Sequence, residues 1–199
     1  MGNAVDKIKS LGRFGSKLGL DRMNRLMAEL GVSCADFKII HVAGTNGKGS
    51  VCTMLDKILR AHGIKTGMYT SPYLSSYRDS IAVDGRSISC EDLDRVGETV
   101  LEAADKLPKE DGELAVTEFE VITGLALYYF KEVGAEYVIL ETGLGGALDS
   151  TNIAPAKVAV ITSISYDHMD VLGDSLAEIA NQDFAFKISK KSLWTDSRS

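Results

Sequence analysis

The sequence predicts an α/β fold: an open, mostly parallel sheet with helices on both faces. Three observations carry that prediction. Short apolar runs rich in branched residues, FKIIHVAG, YVILE and VAVITSI, alternate with longer stretches of helical periodicity, the pattern of parallel strands joined by crossover helices. Those runs are continuous rather than alternating, as expected when both faces of a sheet are covered. Glycine is abundant and proline scarce, 19 against 3, and two glycine clusters, GTNGKGS and TGLGG, directly follow predicted strands.

In chain order, Leu20, Met23, Leu26, Met27 and Leu30 fall at helical spacing, and Gly31 follows as a stop. Residues 37–44 form a buried strand that runs into a glycine-dense turn. Beyond it Val51, Met54, Leu55, Ile58 and Leu59 mark one face of a helix that stops at Gly63. A strand at 65–70 leads through TSPYL to SIAVDGRSIS, whose Asp84 and Gly85 between alternating residues predict a tight hairpin. Ser89, with Asp92 three residues on, has capping-box spacing and opens a helix to about Lys106. Residues 108–112 read as a polar loop, with the acid run at 110–113 solvated. Thr117 and Glu120 repeat the capping pattern ahead of an apolar helix ending near Val133, and strands follow at 137–141 and 158–164. The last ten residues, KKSLWTDSRS, are polar and patternless, so 186–199 is expected to be an irregular, frayed tail on a domain of residues 1–185.

A chain of 199 residues, 45% apolar and 25% charged, is not a disordered polypeptide, and one core of this size buries roughly 70% of the unfolded surface. The net charge of −6 argues against a nucleic-acid footprint. Cys34, Cys52 and Cys90 have neither zinc-site nor disulfide spacing and read as reduced thiols. MGNAVDKIKS lacks an apolar signal core, and no stretch approaches the ~18 apolar residues of a membrane span. A cytoplasmic protein without membrane contact is the expectation.

In an open parallel sheet the binding loops lie at the C-terminal ends of the strands, here 44–50, 71–74, 142–152 and 165–173. The strongest signal is the first: Gly44, Thr45, Asn46, Gly47, Lys48, Gly49 and Ser50 sit between a buried strand and a helix. Such a loop aims backbone N–H groups and a positive helix end at one spot, and its glycines admit a phosphate. Lys48 adds a point charge, and the Ser50 hydroxyl can face a magnesium ion. Val42 at the first glycine position, and Gly49 between Lys48 and Ser50, make it a variant of the common P-loop pattern. Glu141 closes an apolar strand just before TGLGG, where an isolated carboxylate is costly to bury; it serves either a magnesium or phosphate site or a capping or salt-bridging role. His168, between Asp167 and Asp170, is a ligand or a structural histidine, and hard magnesium prefers oxygen. His41 reads as a satisfied sheet residue, and His62 suits a helix C-terminus. Met54, Phe119 and Tyr128 are core by default. No serine-hydrolase elbow or zinc-peptidase pair is present.

Four segments, HVAGTNGKGS, GMYTSPYL, ETGLGGALDSTN and ITSISYDHMDVLG, together resemble folylpolyglutamate synthase and its bifunctional relative dihydrofolate synthase, of the Mur ligase superfamily. Order and spacing agree from about Gly19 to Ile179. The resemblance implies a Mur ligase central domain and an ATP-dependent ligase that joins the amino group of L-glutamate to a carboxylate of folate or dihydropteroate through an acyl phosphate. Its cofactors would be ATP and Mg2+, and its partners small molecules. It also implies that Gly47, Lys48, Gly49 and Ser50 hold ATP phosphates, that Ser71, Glu141 and His168 are magnesium ligands, and that Lys48, Glu141 and His168 carry the chemistry. Pterin-side contacts would map to Thr117, Glu118, Phe119 and Glu120 and to Leu148, Asp149 and Ser150. Phe119 is there a stacking ring or a core residue.

The chain departs from the family pattern in several places. Members commonly run about twice this length, which implies that the C-terminal ligase domain is absent. After Ile179 the family reads close to AxEKAG, with a carbamylated lysine that assists a second magnesium; here Asp183 stands in its place. That loss of pattern resembles a truncation or an altered reading frame. Ala147 and Ser80 stand where arginines are usual. The expectation is an N-terminal portion with little turnover alone and, although the family is usually monomeric, a tendency to self-associate. A non-catalytic nucleotide-binding module, or a partner subunit of a split ligase, is the alternative; a kinase or GTPase lacks a second nucleotide motif.

Overall fold

A computed structural model of the chain describes residues 3–14, 19–73, 75–108 and 116–184. Leu74, the acid run at 110–113, Ala185 and the 186–199 tail lie outside the described residues, as do the side chains of Cys34, Asp170 and Asp183. Among the described residues the α-helices and strands follow in order: α1 (Asn3–Ser10), α2 (Asp21–Glu29), β1 (Lys38–Ala43), α3 (Lys48–Ala61), β2 (Thr66–Tyr69), β3 (Ile81–Val83), β4 (Arg86–Ser87), α4 (Cys90–Asp105), α5 (Glu118–Glu132), β5 (Tyr137–Glu141), β6 (Val158–Ile161), α6 (Met169–Leu172) and α7 (Leu176–Phe184). The sheet order is β4-β3-β2-β5-β1-β6. β2, β5, β1 and β6 pair in parallel, and β3 joins β2 antiparallel, so the predicted mostly parallel sheet is what forms.

The crossover helices cover both faces, because strands apolar on two sides must be buried on two sides. On one face α3 packs Cys52, with the partly buried Val51, Leu55 and Leu59, against Ile40, Val42 and Ile139 of β1 and β5. On the other, α1, α2, α4 and α5 bury Ile8, Met23, Leu26, Val96, Leu125 and Phe130 with Ile39, Val138 and Leu140. One expectation fails here: Met54 and Ile58 are not core but 60% and 55% exposed. Val51, Leu55 and Leu59 set the stripe that meets the sheet, and Met54 and Ile58 each lie one residue, about 100°, around the helix from it. With α3 the helix on that face, nothing among the described elements covers its flank.

Local signals act as read. Asp84 (φ 49°) and Gly85 (φ 73°) make the left-handed pair of the β3–β4 hairpin. Thr117 Oγ accepts the Glu120 N–H while the Glu120 carboxylate accepts the Thr117 N–H, a full capping box on α5. Ser89 caps α4 from one side: its hydroxyl accepts the Asp92 N–H, but the Asp92 carboxylate is taken by Ser89 Oγ and Arg95. His62 sits at the C-terminus of α3 with Nδ1 2.8 Å from the Ile58 carbonyl.

Candidate functional site

β2, β5, β1 and β6 are parallel neighbours, so the loops leaving their C-terminal ends share one edge of the sheet. The glycine loop leaves β1. At Gly44, φ is +115° and a Cβ would stand 2.3 Å from Thr162 Oγ1 and 2.9 Å from the Ser163 carbonyl oxygen, so only glycine fits. The loop is clamped to the exit of β6: the Thr45 N–H donates to the Ser163 carbonyl (2.6 Å), Thr45 Oγ1 to the Ser165 carbonyl (3.1 Å), and the Asn46 N–H to Ser163 Oγ (3.3 Å). Gly47 takes the left-handed conformation at the N-cap of α3, and no side chain caps that helix. Helix geometry therefore leaves the N–H groups of Lys48, Gly49 and Ser50 without intrahelical partners. Lys48 Nζ arches back to donate to the Gly44 (2.8 Å) and Thr45 (3.3 Å) carbonyls.

Glu141 alternates with Tyr137 and Ile139 along β5, which puts it on the α3 face. It is 6% exposed, and a Cβ on Gly49 would lie 3.4 Å from its Oε2, so the start of α3 closes on this carboxylate. The Ser71 N–H donates to the same oxygen (3.4 Å). Burial raises the Glu141 pKa above the usual carboxylate value, while Lys48 and the Ser71 N–H pull it down. Beside it Cys52 is held as a thiol, its pKa pushed up to about 12 by burial and by the Glu141 charge. Ser71 Oγ is buried and has no hydrogen-bond partner among the described residues. An orphaned hydroxyl next to a buried carboxylate is a hard-oxygen donor set that suits Mg2+, which takes one or two carboxylates and completes its shell with water and phosphate oxygens. Among the described residues no group of three or more His, Cys, Asp and Glu is placed to hold a metal by itself. His168 is exposed, with left-handed backbone (φ 48°), and lines the same cavity as Ser71.

That cavity, about 520 Å³, opens on the α5 face. Thr117, Glu118, Phe119, Leu148, Asp149 and Ser150 line it, together with Tyr69, Tyr73, Tyr77, Ser80 and Ile122. Phe119 is half-buried: its ring packs 6.2 Å from that of Tyr69 and also forms cavity wall. Tyr77 donates to Glu118 Oε1 (2.5 Å), and Tyr73 meets Tyr77 edge-on at 4.9 Å. Glu120 is not part of the lining; its fully buried carboxylate holds the Thr117 N–H and Arg22 Nε (3.1 Å). Asp149 is buried as a loop organiser, accepting from the Gly143, Leu144 and Thr151 N–H groups. The three tyrosines escaped the sequence reading. One signal was available: Ser76 and Asp79 have capping spacing and do form a reciprocal box around the turn that carries Tyr77.

This glycine loop, its partner strands and their loops fall in a segment, residues 42–191, that matches the Mur ligase middle domain. The chain belongs to that family. The chain is 42% identical over 174 residues to the dihydrofolate synthase/folylpolyglutamate synthase of Bacillus subtilis, covering 85% of the chain and 40% of that protein. It superposes on E. coli FolC in complex with DHPP and ADP with a TM-score of 0.81 at 38% identity, covering 92% of the chain and 44% of that one. A bifunctional folylpolyglutamate synthase/dihydrofolate synthase with Mn, AMPPNP and L-glutamate bound gives 0.80 at 35% identity, covering 93% and 44%. The four motifs thus pointed to the right relatives, and the chain spans about 40% of the length of the Bacillus subtilis protein. Within this Mur ligase middle domain, Ser80 is buried in the cavity wall, and Ala147 offers its carbonyl to Asn152 Nδ2.

Proposed function

We propose that the chain is the ATP-binding portion, residues 1–185, of a ligase that joins L-glutamate to folate or dihydropteroate. The observation that carries this reading is the meeting, at one sheet edge, of an uncapped helix start bearing Lys48 with the buried Glu141 and the orphaned Ser71 hydroxyl, next to an aromatic cavity. The ADP, AMPPNP, Mn, DHPP and L-glutamate named with its relatives support it.

A carboxylate is a poor acyl donor, so a phosphoryl group must first pass from ATP to a carboxylate oxygen, releasing ADP. The amine nitrogen then attacks the carbonyl carbon, and phosphate leaves with the oxygen. In this reading Lys48 turns from the Gly44 and Thr45 carbonyls to the phosphates, and the N–H groups of Gly47, Lys48, Gly49 and Ser50 neutralise and align their oxygens. Ser71, Glu141 and His168 would hold Mg2+, directly or through water, which supplies charge neutralisation between phosphates and the transferring group. The aromatic walls, Phe119 foremost, would take the pterin ring.

A second reading, a nucleotide-binding module without turnover or a partner subunit of a split ligase, is favoured by Ser80 and Ala147 where arginines are usual. Calorimetry with an ATP analogue and with dihydropteroate tests the site: both should bind, and binding of neither overturns the proposal. Phosphate release with MgATP then separates the readings. Release that needs both dihydropteroate and L-glutamate, from the chain alone or once a C-terminal ligase domain is added, marks the ligase portion, and binding without release under either condition marks the module.

A further inference from the structure

We propose that His41 is a positioning residue for the cavity, acting through Thr151 on Asp149 and so on the wall formed by residues 143–150. His41 lies on β1, three residues before the glycine loop, and alternates with Ile39 onto the α5 face of the sheet. It is fully buried, and its Nε2 stands 2.7 Å from Thr151 Oγ1. The Thr151 hydroxyl also bonds Asp149 Oδ1, which accepts the Thr151 N–H as well. Asp149 Oδ2 accepts the N–H groups of Gly143 and Leu144.

Both Asp149 oxygens accept, from three N–H groups and from the Thr151 hydroxyl; as the carboxylate, Asp149 takes the single hydroxyl proton of Thr151. Thr151 Oγ1 can then only accept from the ring, which makes His41 the neutral tautomer with its proton on Nε2. Burial, which lowers the His41 pKa to about 3, keeps the ring neutral. The strand that carries the glycine loop is thereby tied to the loop that walls the cavity, and the anchor of that loop is aimed by a buried residue outside the cavity lining. The effect on a ligand rests on the reading of the cavity given under Proposed function; the effect on the loop does not.

His41→Leu keeps the bulk and removes the donor, His41→Gln restores an N–H at similar reach, and Thr151→Val removes the middle link. In the full chain, His41→Leu and Thr151→Val should each speed hydrogen exchange of the Gly143 and Leu144 amides about tenfold, the size of one net hydrogen bond. The double variant should be no faster, His41→Gln should recover most of the protection, and α4 amides should be unmoved. Unchanged exchange at Gly143 and Leu144, or equal acceleration across α4, overturns the proposal; if His41→Leu does not fold, Thr151→Val decides. Dihydropteroate affinity should fall by a similar factor in these variants while that for the ATP analogue holds, and equal loss of both counts against positioning. If the unaltered chain binds the ATP analogue but not dihydropteroate, the cavity reading fails, and the exchange measurement still decides whether His41 positions the loop.

Discussion

Lys48 spends its charge on two carbonyls of its own loop, so a bound triphosphate has to offer it more than they do. Charge-assisted hydrogen bonds are worth roughly 1.5–3 kcal/mol each, and Lys48→Ala should therefore lower nucleotide affinity at least about tenfold, to the point of no detectable heat in calorimetry; an unchanged isotherm contradicts the role. Glu141 presents the opposite balance. Its burial disfavours the charge, as the raised pKa records, so the carboxylate is kept at a cost in stability. Glu141→Gln should leave the urea midpoint unchanged or higher, while the gain in nucleotide affinity on adding Mg2+ falls by roughly tenfold. A lower midpoint with intact Mg2+ dependence would make Glu141 a structural residue.

α5 shows how an element end becomes a cavity wall. Thr117 and Glu120 close the capping box, and Arg22 of α2 ties the Glu120 carboxylate down from outside. Thr117→Ala should cost about 1 kcal/mol in urea unfolding, and because Glu118 and Phe119 follow directly, it should weaken dihydropteroate binding too; Thr117→Ser should restore both. This box was legible because its two partners sit three residues apart, as was the glycine loop, whose parts are contiguous. The helix α1 was not: among its described side chains Ala4 and Ile8, with Leu11 just beyond, are deeply buried, too few for a periodic signal. What fixes α1 is distant, since Ala4 Cβ comes within 3.1 Å of where a Cβ on Gly97 of α4 would be. The aromatic cavity was hidden for the same reason, because Tyr69, Tyr77 and Phe119 come from β2, a turn and α5. Met54 and Ile58 looked buried because periodicity finds apolar residues without knowing how wide the partner surface is.

At the scale of the molecule, the sequence identifies four strand-end loops but not their order, and the order makes the site. The sequence β2-β5-β1-β6 sets four parallel strands side by side at ~4.8 Å spacing. The loop bearing Ser71, Glu141, the glycine loop and the clamp at 163–165 therefore become neighbours. The α3 face then holds the phosphate-type features and the α5 face the cavity, with Ser71 and Glu141 where they meet. His41 is buried in the same sheet, and folding must carry its ring in neutral. Its pKa drops from 6.5 to about 3, so between these values the unfolded chain binds a proton that the folded chain refuses. The corresponding stability is complete above pH 6.5 and is lost progressively as pH falls towards 3. Glu141 and Asp149, whose pKa values burial raises, act in the opposite sense and stabilise the fold on acidification, so the whole-chain profile mixes both. The difference between the unaltered chain and His41→Gln isolates the histidine: from pH 7 to 5.5 the unaltered chain should lose roughly 1 kcal/mol more in urea unfolding than the variant. Parallel profiles over that interval would mean that the ring takes up its proton inside the fold.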